Sequence, residues 1–465
     1  MRAGVIVSIE VALTVAIGQA GCSFTPAGGG GIDARPRPDG APSTVDADLG
    51  PPRVVELAAG DAFTCARHSS GEVKCWGRGS SGQLGQGTTE ALGNGPGELG
   101  AALPPLALGG PARDLAVGWR HACAVVARGG RDEVVCWGNN DNGKLGLGDT
   151  TPRGDTPGEL IDAVVPLSTP SVAVAAGIDH TCALDAVGAV RCWGKNEVGQ
   201  LGRDDTVPVG DGPGQVAALE PILLPLAVPA DPIAEVTAGD DHTCVRTRAG
   251  KVACWGDGGE GELGQGSNAN IGAMPGQMAN LGAVAVGGPG AGAGAVSVGD
   301  DLSCALRLDG AVTCWGRASE GRLGLERPGG EHQGDMPGEL PLPPITLPGL
   351  AESVSAGRGG HACVVVGGGA YCWGDGRVGQ LGNDRGDVLG DMVGEMAMVT
   401  MAPITLAGPV QQIAPGLDHT CALLRDGRVQ CWGSNGSGQL GAGDMVQRGD
   451  AAGEMAALGV VDLGW

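Results

Sequence analysis

The 465-residue chain has a formal net charge of −23, and Gly (90) and Pro (31) supply about a quarter of it. That charge argues against a polyanion partner, because nucleic-acid binders neutralise phosphates with Lys and Arg. A Gly/Pro-rich chain without a period reads as disordered, whereas one with a period reads as short strands joined by turns. With nine Trp, two Phe and one Tyr, the core must come from Val, Leu, Ile and Ala.

The first 22 residues read as an export signal. Arg2 precedes an apolar run, Val5 to Gly18, and Gln19-Ala20-Gly21-Cys22 follow. Small residues before a Cys resemble the lipobox of bacterial lipoproteins, which predicts lipidation at Cys22. Glu10 and Gln19 depart from that pattern, and a cleaved secretory signal is the competing reading. The run is too short for a membrane span, so the membrane is expected only through the N-terminal lipid. Residues 23–52 read as a tether, with the Gly28–Gly31 run and Pro36, Pro38, Pro42, Pro51 and Pro52.

Residues 53–465 repeat seven times. Cys-Trp-Gly begins at Cys75, Cys136, Cys192, Cys254, Cys314, Cys372 and Cys431, at spacings of 61, 56, 62, 60, 58 and 59. A segment such as Ala176-Gly-Ile-Asp-His-Thr-Cys-Ala-Leu184 precedes each, Gly-Gln-Leu-Gly (199–202) follows, and Gly-Asp-Met-Pro-Gly-Glu-Leu (334–340) comes later still. Each unit offers four candidate strands; in the third these are Val164–Leu167, Val172–Ala175, Thr181–Asp185 and Ala189–Trp193. Four strands per unit in a radial array predict an all-β, seven-bladed propeller of about 59-residue repeats. Each interior linker is expected to deliver its apolar strand to the following hairpin. The first hairpin lacks one, so Val460 to Leu463 is expected to pair in the first blade and close the ring, with charged Val45–Leu49 as a weaker competitor.

Trp193-Gly-Lys-Asn-Glu-Val-Gly-Gln-Leu-Gly202, the upstream Ala-Gly-x-x-His-Thr-Cys-Ala-Leu and the unit length resemble the regulator of chromosome condensation repeat family over residues 53–465. The resemblance implies a seven-bladed β-propeller, with Trp76, Trp137, Trp193, Trp255, Trp315, Trp373 and Trp432 as structural repeat positions. Some family members are guanine-nucleotide exchange factors for a nuclear small GTPase and bind chromatin. Others are secreted and inhibit β-lactamases.

Fourteen of the 15 Cys form close pairs: Cys65/Cys75, Cys123/Cys136, Cys182/Cys192, Cys244/Cys254, Cys304/Cys314, Cys363/Cys372 and Cys421/Cys431. In the fifth unit a Leu308-Asp309-Gly310 loop sets Cys304 opposite Cys314. In the sixth the spacing is one shorter, the turn is Gly367-Gly368, and Cys363 still opposes Cys372. In the second a longer loop, Arg128 to Arg131, leaves Cys123 opposite Cys136. Directly opposed Cβ atoms about 4.5–5.5 Å apart approach the reach of a disulfide, so seven intrablade disulfides are expected, with buried free thiols as the alternative. Such pairing fits an oxidising compartment.

No catalytic set emerges. His121, His180, His242, His361 and His419 stand two residues before a Cys, but Phe63 and Leu302 replace them in two units, which argues for packing rather than a metal ring. The residue after each is Thr64, Ala122, Thr181, Thr243, Ser303, Ala362 or Thr420; a nucleophile does not alternate with Ala. The acidic linkers, such as Asp204-Asp205, Asp384 with Asp387 and Asp391, and Asp444 with Asp450, lack the spaced calcium-loop pattern. They read as solvated loops that make one face acidic. Tyr371 lies inside a repeat strand, and the Gly-rich stretch 287–294 lacks the Lys of a phosphate loop and reads as a flexible insertion. The expectation is an exported, surface-anchored, monomeric propeller that binds an unknown protein ligand or serves as a scaffold, with no catalysis, no cofactor, no metal and no nucleic acid. The alternative is a secreted inhibitor of an extracellular enzyme, and a third reading is an exchange factor.

Overall fold

The computed structural model describes residues 52–327 and 330–465. Cys22, the signal segment, Val45–Leu49 and all but the last residue of the expected tether lie outside the described residues. The described chain forms seven three-stranded antiparallel sheets in sequence order. Blade one is Val54–Ala59, Phe63–His68 and Val73–Gly77; blade seven is Val410–Pro415, His419–Leu424 and Val429–Gly433. The inner strand of every blade shifts register after its first residue, as between Val54 and Glu56. Each outer strand ends in the Cys-Trp-Gly of its repeat, and all seven Trp are 0 % exposed. Valines, leucines and alanines of adjacent blades interleave around them. Among the described residues no helix is long and apolar enough to cross a membrane.

The fourth strand differs from expectation. The linker residue bonds backward to the outer strand of its own hairpin: Leu106 N–H to Val73 O (2.8 Å), Ile222 to Val190 (2.9 Å), Ile345 to Val312 (2.8 Å) and Ile404 to Ala370 (2.9 Å). In the third unit, Val164 and Val165 therefore belong to blade two, through Val165 N–H to Val134 O at 2.9 Å. Pro105, Pro221, Pro344 and Pro403 immediately precede four of these residues. Lacking an N–H, they reduce the fourth strand to a short bridge.

Val461 follows the same rule. Its N–H bonds Val429 O in blade seven at 2.8 Å, so Val461 reaches back to the last blade's outer strand. The next residues then cover the seam: Asp462 O accepts the Gly100 N–H at 2.9 Å, and Leu463 packs with Leu57, Trp76 and Leu440. Blade one meets blade seven directly. Gln412 Oε1 accepts the Leu57 N–H (3.0 Å), Gln412 Nε2 donates to Leu57 O (2.6 Å), and the Leu417 N–H bonds Gly60 O (3.0 Å).

All seven Cys pairs are disulfides between facing residues of the middle and outer strands. Blade two reaches this register otherwise than by a longer loop. Arg128 pairs with Arg131 around a two-residue Gly129-Gly130 turn, and the longer Cys spacing lies in longer strands. The Gly-rich 287–294 segment turns through an Ala291 N–H to Gly288 O bond and enters the inner strand Ala293–Val298.

Candidate functional site

Two repeat markers lock successive blades together. The Trp of each Cys-Trp-Gly donates its Nε1–H to the carbonyl of the second residue of the preceding blade's Gly-x-Leu-Gly. Trp193 bonds Lys144 O (2.9 Å), Trp255 bonds Gln200 O (3.0 Å), and Trp76 closes the ring onto Gln439 O (3.0 Å). The glycine ending that motif is needed for the approach. A Cβ on Gly202 would stand 2.8 Å from the Trp255 indole nitrogen, and Gly202 has φ +66.

The five repeat histidines make a second set of bonds. Each Nε2 meets the Thr or Ser beside the first Cys of the next blade: His121 to Thr181 (3.0 Å), His180 to Thr243 (2.9 Å), His242 to Ser303 (3.1 Å), His361 to Thr420 (2.9 Å) and His419 to Thr64 (2.9 Å). Each hydroxyl donates onward to the carbonyl that receives the Trp, as Thr181 does to Lys144 O at 2.8 Å. The hydroxyl hydrogen being used, the imidazole must be the donor, which fixes the neutral Nε2–H tautomer. Burial depresses the rings to about 3 for His180, His242 and His361 and to about 4 for His419, with Arg358 adding to the effect at His180 and His242. Where Phe63 replaces His, the next blade has Ala122 in place of Thr; where Leu302 replaces it, the next blade has Ala362. Donor and acceptor are lost together.

The acidic linkers are largely tied into the fold. Glu98, Glu159, Glu339, Glu395 and Glu454 accept backbone N–H groups of their own loops, such as Gly449 to Glu454 at 2.8 Å. Asp384 accepts those of Gly453 and Met455 in the next unit at 3.0 and 2.9 Å. Asp444 pairs with Arg448 at 2.6 Å. Among the described residues, no group of three His, Cys, Asp or Glu is placed to hold a metal ion.

The inner-to-middle turns of blades one to five are chained together at one mouth of the propeller. Asp61 N–H bonds Trp119 O, Trp119 bonds Gly177 O, Ile178 bonds Asp240 O and Asp240 bonds Gly299 O, at 3.1–3.3 Å. The sixth turn, Gly357 to His361, is one residue longer than the others. It sends Arg358 across the mouth to Asp240 Oδ1 and Ala176 O, both at 2.6 Å, leaving the arginine 2 % exposed. Around it stand Lys144–Asp179 (2.5 Å), Arg78–Asp61 (2.5 Å) and Lys195–Asp241 (3.4 Å). Trp119 lies under the Arg120 guanidinium at 4.7 Å.

Carboxyls are crowded here. Burial first, then Asp300 and Asp241 against the pull of Arg358, lifts Asp240 to about 7. Burial and then Asp300 lift Asp301 to about 7. Burial pushes Asp241 and Asp418 upward too. These raised carboxyls share the mouth with Arg358. Arg358 was missed in the sequence, where the extra turn residue was its only signal.

The RCC1-like domain profile matches residues 16–390, and the regulator of chromosome condensation (RCC1) repeat matches residues 410–439. The chain belongs to the RCC1-like family. The ultraviolet-B receptor UVR8 of Arabidopsis thaliana is 28 % identical over 413 residues, covering 86 % of this chain and 81 % of that one. Human E3 ubiquitin-protein ligase HERC2 is 29 % identical over 338 residues, 71 % of this chain but 6 % of the ligase. The crystal structure of Saccharomyces cerevisiae Prp20p superposes with TM-score 0.58 at 23 % identity, covering 78 % of this chain and 80 % of Prp20p. RCC1-like propellers are mainly non-catalytic. The seven disulfides fit an oxidising, extracytoplasmic environment.

Proposed function

We propose that this RCC1-like propeller is a non-catalytic protein-binding module whose channel mouth recognises a cationic segment of its partner. The observation that carries the reading is the half-buried carboxyl rim, whose Asp240, Asp241, Asp301 and Asp418 are all lifted above the usual range. A partner's Lys or Arg placed there relieves that crowding. Prp20p is described by its binding to Gsp1p and histones. Disulfides argue for a partner outside the reducing cytoplasm, and a secreted enzyme held in inhibition is one such partner. Lipidation of Cys22 would anchor the propeller at the membrane surface. The test is to immobilise the full-length protein, identify its envelope or secreted ligand, and repeat binding with Asp241→Asn and Asp418→Asn. Binding should weaken in both variants and in raised salt. Undiminished binding by the variants would refute the acidic-mouth reading. Cys22→Ala should move the protein from membrane to soluble fraction.

A further inference from the structure

In blades two and three the second residue of Gly-x-Leu-Gly reaches the next blade's turn. Lys144 Nζ meets Asp179 Oδ1 at 2.5 Å, and Gln200 Nε2 donates to Asp241 Oδ1 at 2.8 Å. Gln200 Oε1 meanwhile accepts the Val198 N–H of its own loop at 3.1 Å. In blade four this position is Glu262, and the matching aspartate in blade five is Asp301. Glu262 Oε2 accepts the Glu260 N–H at 2.9 Å, repeating the Gln200 arrangement. Its other oxygen, the counterpart of the Gln200 donor, is buried without a hydrogen-bond partner, and the residue is 0 % exposed. Its main-chain oxygen receives Trp315 Nε1 at 2.9 Å and Ser303 Oγ at 2.8 Å, which fixes the backbone that carries the side chain.

The charged groups facing this pair are Asp257 and Glu260 from blade four and Asp300, Arg317 and Arg322 from blade five. Arg322 is engaged by Asp300 and Glu320, and half-exposed Arg317 reaches Asp301 at 3.4 Å. Glu260 is held by His332 at 2.8 Å. A buried carboxyl with one unpartnered oxygen, in a position where its repeats carry a donor, lacks a hydrogen.

We propose that Glu262 retains a proton and donates it through Oε1 to a carboxyl oxygen of Asp301, making the junction of blades four and five a pH-sensitive joint of the ring. Burial, reinforced by the charges of Asp301 and Asp257, raises Glu262 from the usual 4.5 to about 8. The folded state thus keeps a proton that the unfolded chain releases. The joint is at full strength below about pH 4.5, weakens as pH rises, and is lost through about pH 8.

Glu262→Gln supplies the missing donor with the side chain that Gln200 uses at this position to reach Asp241. Melting temperatures of the full-length protein and the variant are compared across about pH 5 to 9, with potentiometric proton release measured on both. The variant should melt several degrees higher than the parent at the alkaline end. It should also release one proton fewer between about pH 6 and 9. Asp301→Asn, which presents an amide donor and removes a like charge, should shift that release to lower pH. Parallel melting profiles and equal proton release would overturn the proposal, as would a release unmoved by Asp301→Asn.

Discussion

His419 Nε2 lies 2.9 Å from Thr64 Oγ1, although 355 residues separate the two in sequence. The bond joins the last blade to the first and repeats a contact made at four other junctions. The seam therefore carries the same latch as four interior junctions, and Asp462 and Leu463 cover it besides. The two junctions without the bond have Phe63 facing Ala122's blade and Leu302 facing Ala362's. A buried donor without an acceptor costs more than two apolar groups.

This gives a double-mutant cycle. Thr64→Ala alone should lower stability by about 1–3 kcal/mol, because His419 is left buried with an unsatisfied N–H. His419→Phe with Thr64→Ala should recover part of the loss by recreating the Phe63–Ala122 combination. Denaturant unfolding of the four proteins measures the coupling. Strictly additive effects would contradict the latch.

The Trp bonds differ in redundancy. Lys144 O receives both Trp193 and the Thr181 hydroxyl, whereas Ala362 leaves Arg322 O with the Trp373 indole at 2.9 Å. Trp373→Phe should therefore cost about 1 kcal/mol more than Trp193→Phe, the loss of ring area being common to both. Equal losses by chemical denaturation would assign the Trp role to packing alone.

The histidines set an acid limit. Folded rings near 3 to 4 remain neutral where unfolded rings, near 6.5, take up protons. The unfolded state then binds more protons, so stability should fall as pH drops from about 6.5 toward 3. His361→Phe with Thr420→Ala should flatten that fall, as read from melting temperature against pH. An unchanged slope would place the acid sensitivity elsewhere.

Arg358 is the cross-channel tie. Arg358→Met leaves Asp240 buried without its cation and Ala176 O without its donor, and should destabilise by about 3–5 kcal/mol. Adding Asp240→Asn should restore part of this, because the uncompensated charge goes. No rescue in urea titration would mean that the Ala176 bond dominates.

Thiol titration checks the cysteine pairing. Unfolded, unreduced protein should expose none of the 14 paired thiols. Each disulfide should contribute about 2–3 kcal/mol because it closes a short loop.

The sequence alone determined the blade count, the propeller class and the cysteine register, because each is a local pattern repeated seven times. A hairpin that keeps Cys363 opposite Cys372 as its turn shortens can be read from spacing alone. The link between Phe63 and Ala122 was also present in the sequence, but it joins neighbouring repeats and is invisible when each repeat is read by itself. Only the tertiary structure decided which hairpin each linker strand joins: Val165 and Val461 are apolar either way, and their direction depends on which edge N–H and C=O groups remain free. It likewise decided the partners of Arg358 and Glu262. Arg358's partners lie 118 and 182 residues away in sequence and Glu262 faces the adjoining blade, and burial by the closed ring, not residue type, turns an ordinary arginine into a tie and an ordinary glutamate into a proton store.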